Sequence, residues 1–167
     1  FRIAKIEDGS HYLDRTTNAQ GEILISDLEP GVYSVKETAT VADHILEPTE
    51  HHVELFPGRT STITLQNDKR PNLTIRKTDK DTGEPISGVT FTLNYADGPT
   101  ITTEPTGEDG TVTIENLLPG VYTVTEQSVP ENYILDTTPQ QVTLEPNRDA
   151  TVQFQNYKRP TLSLIHI

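Results

Sequence analysis

The sequence predicts an all-β protein built of tandem β-sandwich domains, with about seven short strands in each complete copy. Three observations carry that prediction. The chain repeats itself at a constant separation of 89 residues: Glu29-Pro-Gly-Val-Tyr-Ser-Val-Lys-Glu37 returns as Leu118-Pro-Gly-Val-Tyr-Thr-Val-Thr-Glu126, and Gln66-Asn-Asp-Lys-Arg-Pro71 returns as Gln155-Asn-Tyr-Lys-Arg-Pro160. A fixed period of this length marks tandem copies of one small domain rather than one large core. Runs rich in Thr and Val alternate with period two between Gly, Pro, Asn and Asp turn signals, which favours strands. No segment carries the spacing of an amphipathic helix.

The complete copy runs from about Asn72 to Lys158 within a domain assigned to residues 70–158. Its candidate strands are Leu73–Lys77, Val89–Leu93, Val112–Ile114, Val121–Thr125, Val142–Leu144 and Ala150–Phe154. Between them stand Asp81-Thr-Gly, Asp97-Gly, Glu108-Asp-Gly, Pro119-Gly, Pro130-Glu-Asn and Pro146-Asn, residue pairs that favour tight turns. The first copy, residues 1–69, starts part-way through the unit. Phe1-Arg-Ile aligns with Phe91-Thr-Leu, so the segment matching Asn72 to Thr90, and the first strand with it, has no counterpart. That strand is expected at a sheet edge, and its loss should leave the first copy the less stable of the two. Residues 159–167 begin a third repeat. Leu162-Ser-Leu-Ile-His-Ile167 also matches the translation of a sequencing-adapter end, so the natural sequence is expected to stop near Thr161. The connection from Asp68 to Asn72 is short and contains Pro71, which should limit swing between copies.

Composition narrows the functional classes. A formal net charge of −12 disfavours nucleic acid, which needs a basic stripe. No run of apolar residues is long enough to span a bilayer. The chain has no Cys, so neither disulfides nor thiolate metal sites are available. It also has no Met, which suggests an interior piece of a longer protein.

Strand geometry then singles out five polar residues. Side chains at i, i+2 and i+4 share one face of a strand. Leu73 and Ile75 therefore carry Lys77 onto the core side, Tyr122 and Val124 carry Glu126, and Val152 and Phe154 carry Asn156. In the first copy Tyr33 and Val35 lead to Glu37, and Ile63 and Leu65 lead to Asn67. Such stripes can simply end where a strand meets solvent. The recurrence of Glu and Asn in both copies argues against that. Burying these groups singly would cost about 1–3 kcal/mol for a neutral one and more for a charge. A cluster is sensible only if its members satisfy or consume one another.

Lys77-Thr-Asp79, then Gly83-Glu-Pro-Ile-Ser-Gly-Val-Thr-Phe91, then Asn116-Leu-Leu-Pro-Gly-Val-Tyr-Thr-Val-Thr-Glu126, then Gln155-Asn-Tyr-Lys158 resembles the Cna B-type, or SpaA-like prealbumin-fold, domain. The resemblance implies an Ig-like, prealbumin/transthyretin-like sandwich of the kind that builds stalks of Gram-positive surface adhesins and shafts of sortase-assembled pilins. It implies a location on the cell surface or wall. The implied partners are neighbouring repeats of the same chain, other pilin subunits, and host extracellular matrix. It also implies a self-formed isopeptide bond, with Lys77 as nucleophile, Asn156 as electrophile and Glu126 as proton shuttle. A dry interior favours the uncharged amine and the uncharged acid that such a reaction needs. The reaction would turn over once, so no enzyme acting on a substrate is implied, and no cofactor or metal. Glu37 and Asn67 have no lysine partner in the first copy and are expected to stay unreacted. Family members commonly show Pro-x-Gly-Tyr after the glutamate; here Pro130-Glu-Asn-Tyr133 puts Asn132, which tolerates a left-handed turn, at the glycine position.

Rival functions have weaker support. A module binding host matrix protein or glycan through exposed loops is the alternative, although the chain lacks Trp for sugar stacking. A glycosidase-like site needs two acids facing a cleft, and the recurrent carboxylate points inward. His11, His44 and the pair His51-His52, placed before a strand, read as exposed residues rather than metal ligands. The acidic residues Asp79, Asp81, Asp97, Glu108 and Asp109 read as solvated turns rather than calcium ligands.

Overall fold

The computed structural model describes residues 1–7, 12–96 and 98–166; His11, Asp97 and Ile167 lie outside them. The described residues form strands and no helix. The chain divides into two compact units, Phe1–Asp68 and Lys69–Ile167.

Unit one contains β1 (Arg2–Lys5), β2 (Tyr12–Asp14), β3 (Gly31–Lys36) and β4 (Glu50–Leu55), in one sheet of order β2-β1-β3-β4. Unit two contains β5 (Leu73–Asp79), β6 (Thr90–Tyr95), β7 (Ile101–Thr102), β8 (Thr111–Ile114), β9 (Gly120–Ser128), β10 (Gln140–Leu144) and β11 (Ala150–Asn156). These build a four-stranded sheet, β10-β9-β6-β7, and a three-stranded sheet, β11-β5-β8. The short β7 has no alternating pattern long enough to betray it in sequence.

Alternation along each strand of unit two sends one face inward. Leu73, Ile75, Val89, Phe91, Leu93 and Val124 are fully buried, with Phe154 of one sheet 5.0 Å from Phe91 of the other, centroid to centroid. Each such aliphatic or aromatic side chain contributes about 1.5–3 kcal/mol on burial. Tyr122 is buried as expected, stacks on Tyr95 at 4.8 Å, and donates its hydroxyl to Leu118 O.

The first strand of the complete copy is not at an edge. β5 lies at the centre of its sheet, antiparallel to β8 and parallel to β11, in a register running from Leu73↔Ala150 to Asp79↔Asn156. The sequence repeat fixes which strands are equivalent but cannot say which of them are neighbours. A parallel partner is joined through the whole intervening chain, so it leaves no hairpin signal.

Unit one shows what that centre position means. Its sheet reproduces the four-stranded sheet of unit two: Ile3 pairs with Val35 as Leu93 pairs with Val124, and Lys5 pairs with Tyr33 as Tyr95 pairs with Tyr122. The segments equivalent to β8 and β11, residues 22–25 and 61–67, form no strand. In unit two both pair with β5 and not with each other. Without a central strand neither has a ladder to join. The inward stripe expected for Ile63, Leu65 and Asn67 is accordingly only partial: Ile63 is 38% exposed where its counterpart Val152 is 9% exposed, and Leu65 and Asn67 are half-buried. The buried core of unit one is Ile3, Tyr33 and Val35.

Candidate functional site

Three strands of unit two deliver the candidate residues to one point. Lys77 comes from β5, Glu126 from β9 in the opposite sheet, and Asn156 from the end of β11; they are 0%, 2% and 3% exposed. The Lys77 amine donates to Asn156 Oδ1 at 2.6 Å and lies 3.3 Å from Glu126 Oε1. Asn156 Nδ2 donates to the other glutamate oxygen, Oε2, at 2.7 Å, and the Asp136 backbone N–H donates to the same oxygen at 2.9 Å. The carboxyl group therefore bridges the amine and the carboxamide nitrogen, with one oxygen toward each. Oε1 accepts no hydrogen bond and is the buried side-chain polar atom left unsatisfied among the described residues.

Burial pushes the Lys77 amine below its usual range, opposed by the nearby Glu126 charge. The backbone around Lys77 is held on both sides: its N–H donates to Gly110 O at 2.7 Å and its C=O accepts from Ile86 N–H at 3.0 Å. Gly110 has φ of 72°, and a Cβ there would stand 2.5 Å from Lys77 O. The turn beside the lysine thus requires glycine twice over, for its dihedral and for its close approach.

Asp79 is a member of the site that the sequence reading misplaces. It was expected on a solvated turn and is 1% exposed. Its Oδ1 accepts the backbone N–H groups of Asp81 and Thr82 at 2.9 and 3.0 Å. Its Oδ2 accepts the Tyr133 hydroxyl at 3.2 Å and lies 3.4 Å from Lys158 Nζ. The Thr82 amide chiefly, helped by the Asp81 amide, Tyr133 and Lys158 and opposed by burial, holds its carboxyl down to about 2. The signal was available: Asp79 is two residues past Lys77, on the same inward stripe as Leu73 and Ile75. It pins the end of β5 to Tyr133 and Lys158, which bridge to each other. Asn132, one residue before, does not take the left-handed turn its residue type allows; Asp27, Ala96, Asn116 and Asn147 are the described non-glycine residues that do.

Unit one preserves the acid and the amide. Asn67 Nδ2 donates to Glu37 Oε2 at 2.7 Å, to Thr40 Oγ1 at 3.0 Å and to Ile45 O at 3.1 Å. The Glu47 N–H donates to Glu37 Oε2 at 3.0 Å, as Asp136 does to Glu126. Lys5 is directed elsewhere, 3.4 Å from Glu29. His51 and His52 lie within β4 rather than before it, and His44 contacts Asp43.

Comparison with known proteins identifies the fold family. The family model described as the SpaA prealbumin-like fold domain matches residues 1–69 and again residues 71–158. No curated protein sequence matches the chain. Among solved structures, the TIE protein of Bacillus anthracis is similar at 24% identity and a TM-score of 0.54, over 94% of this chain and 30% of that one. A streptococcal ancillary pilin is similar at 26% identity and a TM-score of 0.45, over 81% of this chain and 44% of the other. The minor pilin GBS52 of Streptococcus agalactiae is similar at 23% identity and a TM-score of 0.47, over 95% and 73%. The chain therefore spans less than half the length of the first two.

Proposed function

This chain belongs to the SpaA prealbumin-like-fold family, and from that premise we propose that it is a structural shaft or stalk module of a Gram-positive surface adhesin or pilin. Its complete unit is locked by a self-formed amide bond between Lys77 and Asn156. The observation that carries the proposal is the Glu126 carboxyl spanning the amine and the carboxamide, with Oε1 3.3 Å from Lys77 Nζ and Oε2 2.7 Å from Asn156 Nδ2.

The chemistry follows from that placement. Desolvation favours the neutral amine, which is the nucleophilic form. Lys77 Nζ attacks Asn156 Cγ, forming the new C–N bond and a tetrahedral centre. Glu126, placed against both groups, takes a proton from Nζ at Oε1 and relays one to Nδ2. The Cγ–Nδ2 bond breaks, ammonia leaves, and the carboxyl returns to its starting form. Folding supplies the proximity, which is worth about 7–11 kcal/mol of barrier in favourable cases. The product residues cannot react again, so turnover is single and the outcome is mechanical rather than metabolic.

The topology explains why that outcome suits a shaft. β5 opens the unit, β11 closes it, and they lie parallel as neighbours. Tension applied through the chain at either end of the unit loads this pair in shear. An amide from Lys77 to Asn156 carries the load directly from one strand to the other and shields the 78 residues between them. It also provides the covalent staple that a Cys-free surface domain otherwise lacks. Intact-mass measurement tests the proposal: the folded chain is expected to weigh one ammonia less than its sequence, and Asn156→Ala or Lys77→Met to abolish the deficit. A native chain at full mass, with both residues intact, rejects the bond.

A further inference from the structure

The segments that carry Lys77 and Asn156 meet in two polar pairs. Lys77 and Asn156 stand 79 positions apart, and so do Asp79 and Lys158, whose Oδ2 and Nζ lie 3.4 Å from each other. The second pair repeats the diagonal of the first one pleat further along, with amine and acceptor exchanged between the strands. It lies at the limit of the ladder, which ends at Asp79↔Asn156. There the chain after β11 leaves β5 and joins residues 131–134. Ile134 N–H donates to Tyr157 O at 3.0 Å and Arg159 N–H to Asn132 O at 2.8 Å, with Lys158 bridged to Tyr133 between them. Asn156 is the last residue of β11 held by β5, its C=O accepting Lys80 N–H at 2.9 Å. The Asp79 carboxylate, 1% exposed, ties the two pairings together, because Oδ2 receives the Tyr133 hydroxyl at 3.2 Å and also faces Lys158.

This second pair cannot itself condense to an amide. The Thr82 amide chiefly holds the Asp79 carboxyl down to about 2, so it is ionised. The Lys158 side chain is 54% exposed and is pushed up by Tyr133 and Asp79, so its amine stays protonated. The effect of the pair is on register. A one-residue slip would turn a reacting side chain out of the core. A two-residue slip one way sets Lys77 against Lys158, amine to amine; the other way it sets Lys77 against Phe154. Either slip parts the buried carboxylate from its cation, which is strongly unfavourable.

We infer that Asp79, Tyr133 and Lys158 are positioning residues for amide formation, a clamp that fixes the β5–β11 register and holds the Asn156 carboxamide against the Lys77 amine until the bond exists. The inference rests on the reaction proposed above and adds to it three groups that touch neither reacting atom. Once the amide has formed, the covalent link itself maintains the register. The clamp therefore acts on the rate of bond formation rather than on the finished shaft.

The test is kinetic. Full chain recovered unfolded from inclusion bodies, at its full sequence mass, is diluted from guanidinium into native buffer. Folding is followed by near-ultraviolet circular dichroism and ammonia loss by intact mass. The quantity read is the first-order rate of ammonia loss per folded molecule, which a merely structural role would not move. Asp79→Asn should lower it about a hundredfold, the cost of an ångström-scale misplacement of reacting groups. Lys158→Gln and Tyr133→Phe should each lower it by a smaller factor. Lys158→Arg, which keeps the cation, should restore the parent rate. Glu145→Gln, which breaks the exposed contact with Arg148 in the turn before β11, should leave it unchanged. Lys158 is largely exposed and tolerates replacement, so its two variants decide the matter even where Asp79→Asn fails to fold. Parent rates in Lys158→Gln and Tyr133→Phe overturn the clamp while the Lys77–Asn156 bond stands. So does a Lys158→Arg chain as slow as Lys158→Gln, or loss of water with a link mapped between Asp79 and Lys158. Absence of ammonia loss from the parent chain overturns the amide reading and the clamp with it.

Discussion

Replacing Glu126 by Gln isolates the shuttle from the fold. The amide side chain has nearly the same shape, and its oxygen can still accept the Asp136 N–H that Glu126 Oε2 accepts at 2.9 Å. It cannot take a proton from Lys77 Nζ and return one to Asn156 Nδ2. The variant is therefore expected to fold, to keep its full sequence mass, and to melt earlier. Lys77 and Asn156 are 79 positions apart, and closing a loop of that size removes unfolded-state entropy worth about 4.5 kcal/mol. In a domain of this size each kcal/mol shifts the midpoint by about 4–8 °C, so the unit-two transition should fall by about 20–35 °C. Mass spectrometry and differential scanning calorimetry on the same two preparations read both effects. Complete ammonia loss in Glu126→Gln would remove the glutamate from the mechanism. Equal melting of linked and unlinked chains would refute the loop-entropy reasoning while leaving the bond intact.

Other outcomes follow from the same geometry. Cross-link formation in freshly refolded chain should slow as pH falls, because a lysine whose amine is held below its usual range must still lose its proton before attack; a time course of mass loss across acid to neutral pH checks this. Asp79 has a folded value of about 2 against 3.8 for the free side chain, so its stabilisation is full above pH 3.8 and is lost as pH falls through about 2; Asp79→Asn should remove that segment of the acid-unfolding curve, best measured in the unlinked Glu126→Gln background. Gly110→Ala should destabilise unit two by more than the ~1–2 kcal/mol of a left-handed alanine because its Cβ meets Lys77 O, whereas Gly21→Ala should cost only that dihedral term; thermal unfolding of the two variants gives the contrast. Phe154→Ala opens the contact with Phe91 and should cost about 3–5 kcal/mol by denaturant unfolding of the unlinked form.

Much of this site was legible in the sequence because strands have a fixed side-chain period. Counting by twos from Leu73, Tyr122 and Val152 is enough to bring Lys77, Glu126 and Asn156 inward, and recurrence at Glu37 and Asn67 distinguishes the acid and amide from chance stripe ends. Asp79 was lost for a local reason. Its neighbours Asp81, Thr82 and Gly83 form a turn, and a turn aspartate reads as solvated unless the stripe is counted one step further. Asp136 was invisible because its backbone, not its side chain, orients Glu126. The short β7 and the partial burial of Ile63 depend on neighbours that no local pattern specifies.

From its sequence alone this chain determined the strand class, the two copies of one module and the inward set of residues. Those properties follow from periodicity and spacing, which are local. Tertiary structure decided that β5 is central, that its parallel neighbour is the last strand of the unit, and that Glu126 reaches across from the other sheet to touch both ends of the lysine–asparagine contact. It also decided that residues 22–25 and 61–67 stay outside any strand although their counterparts form β8 and β11. The reason is that sheet order is fixed by which backbones share hydrogen bonds, and a ladder between residues 77 positions apart has no signature in either segment by itself.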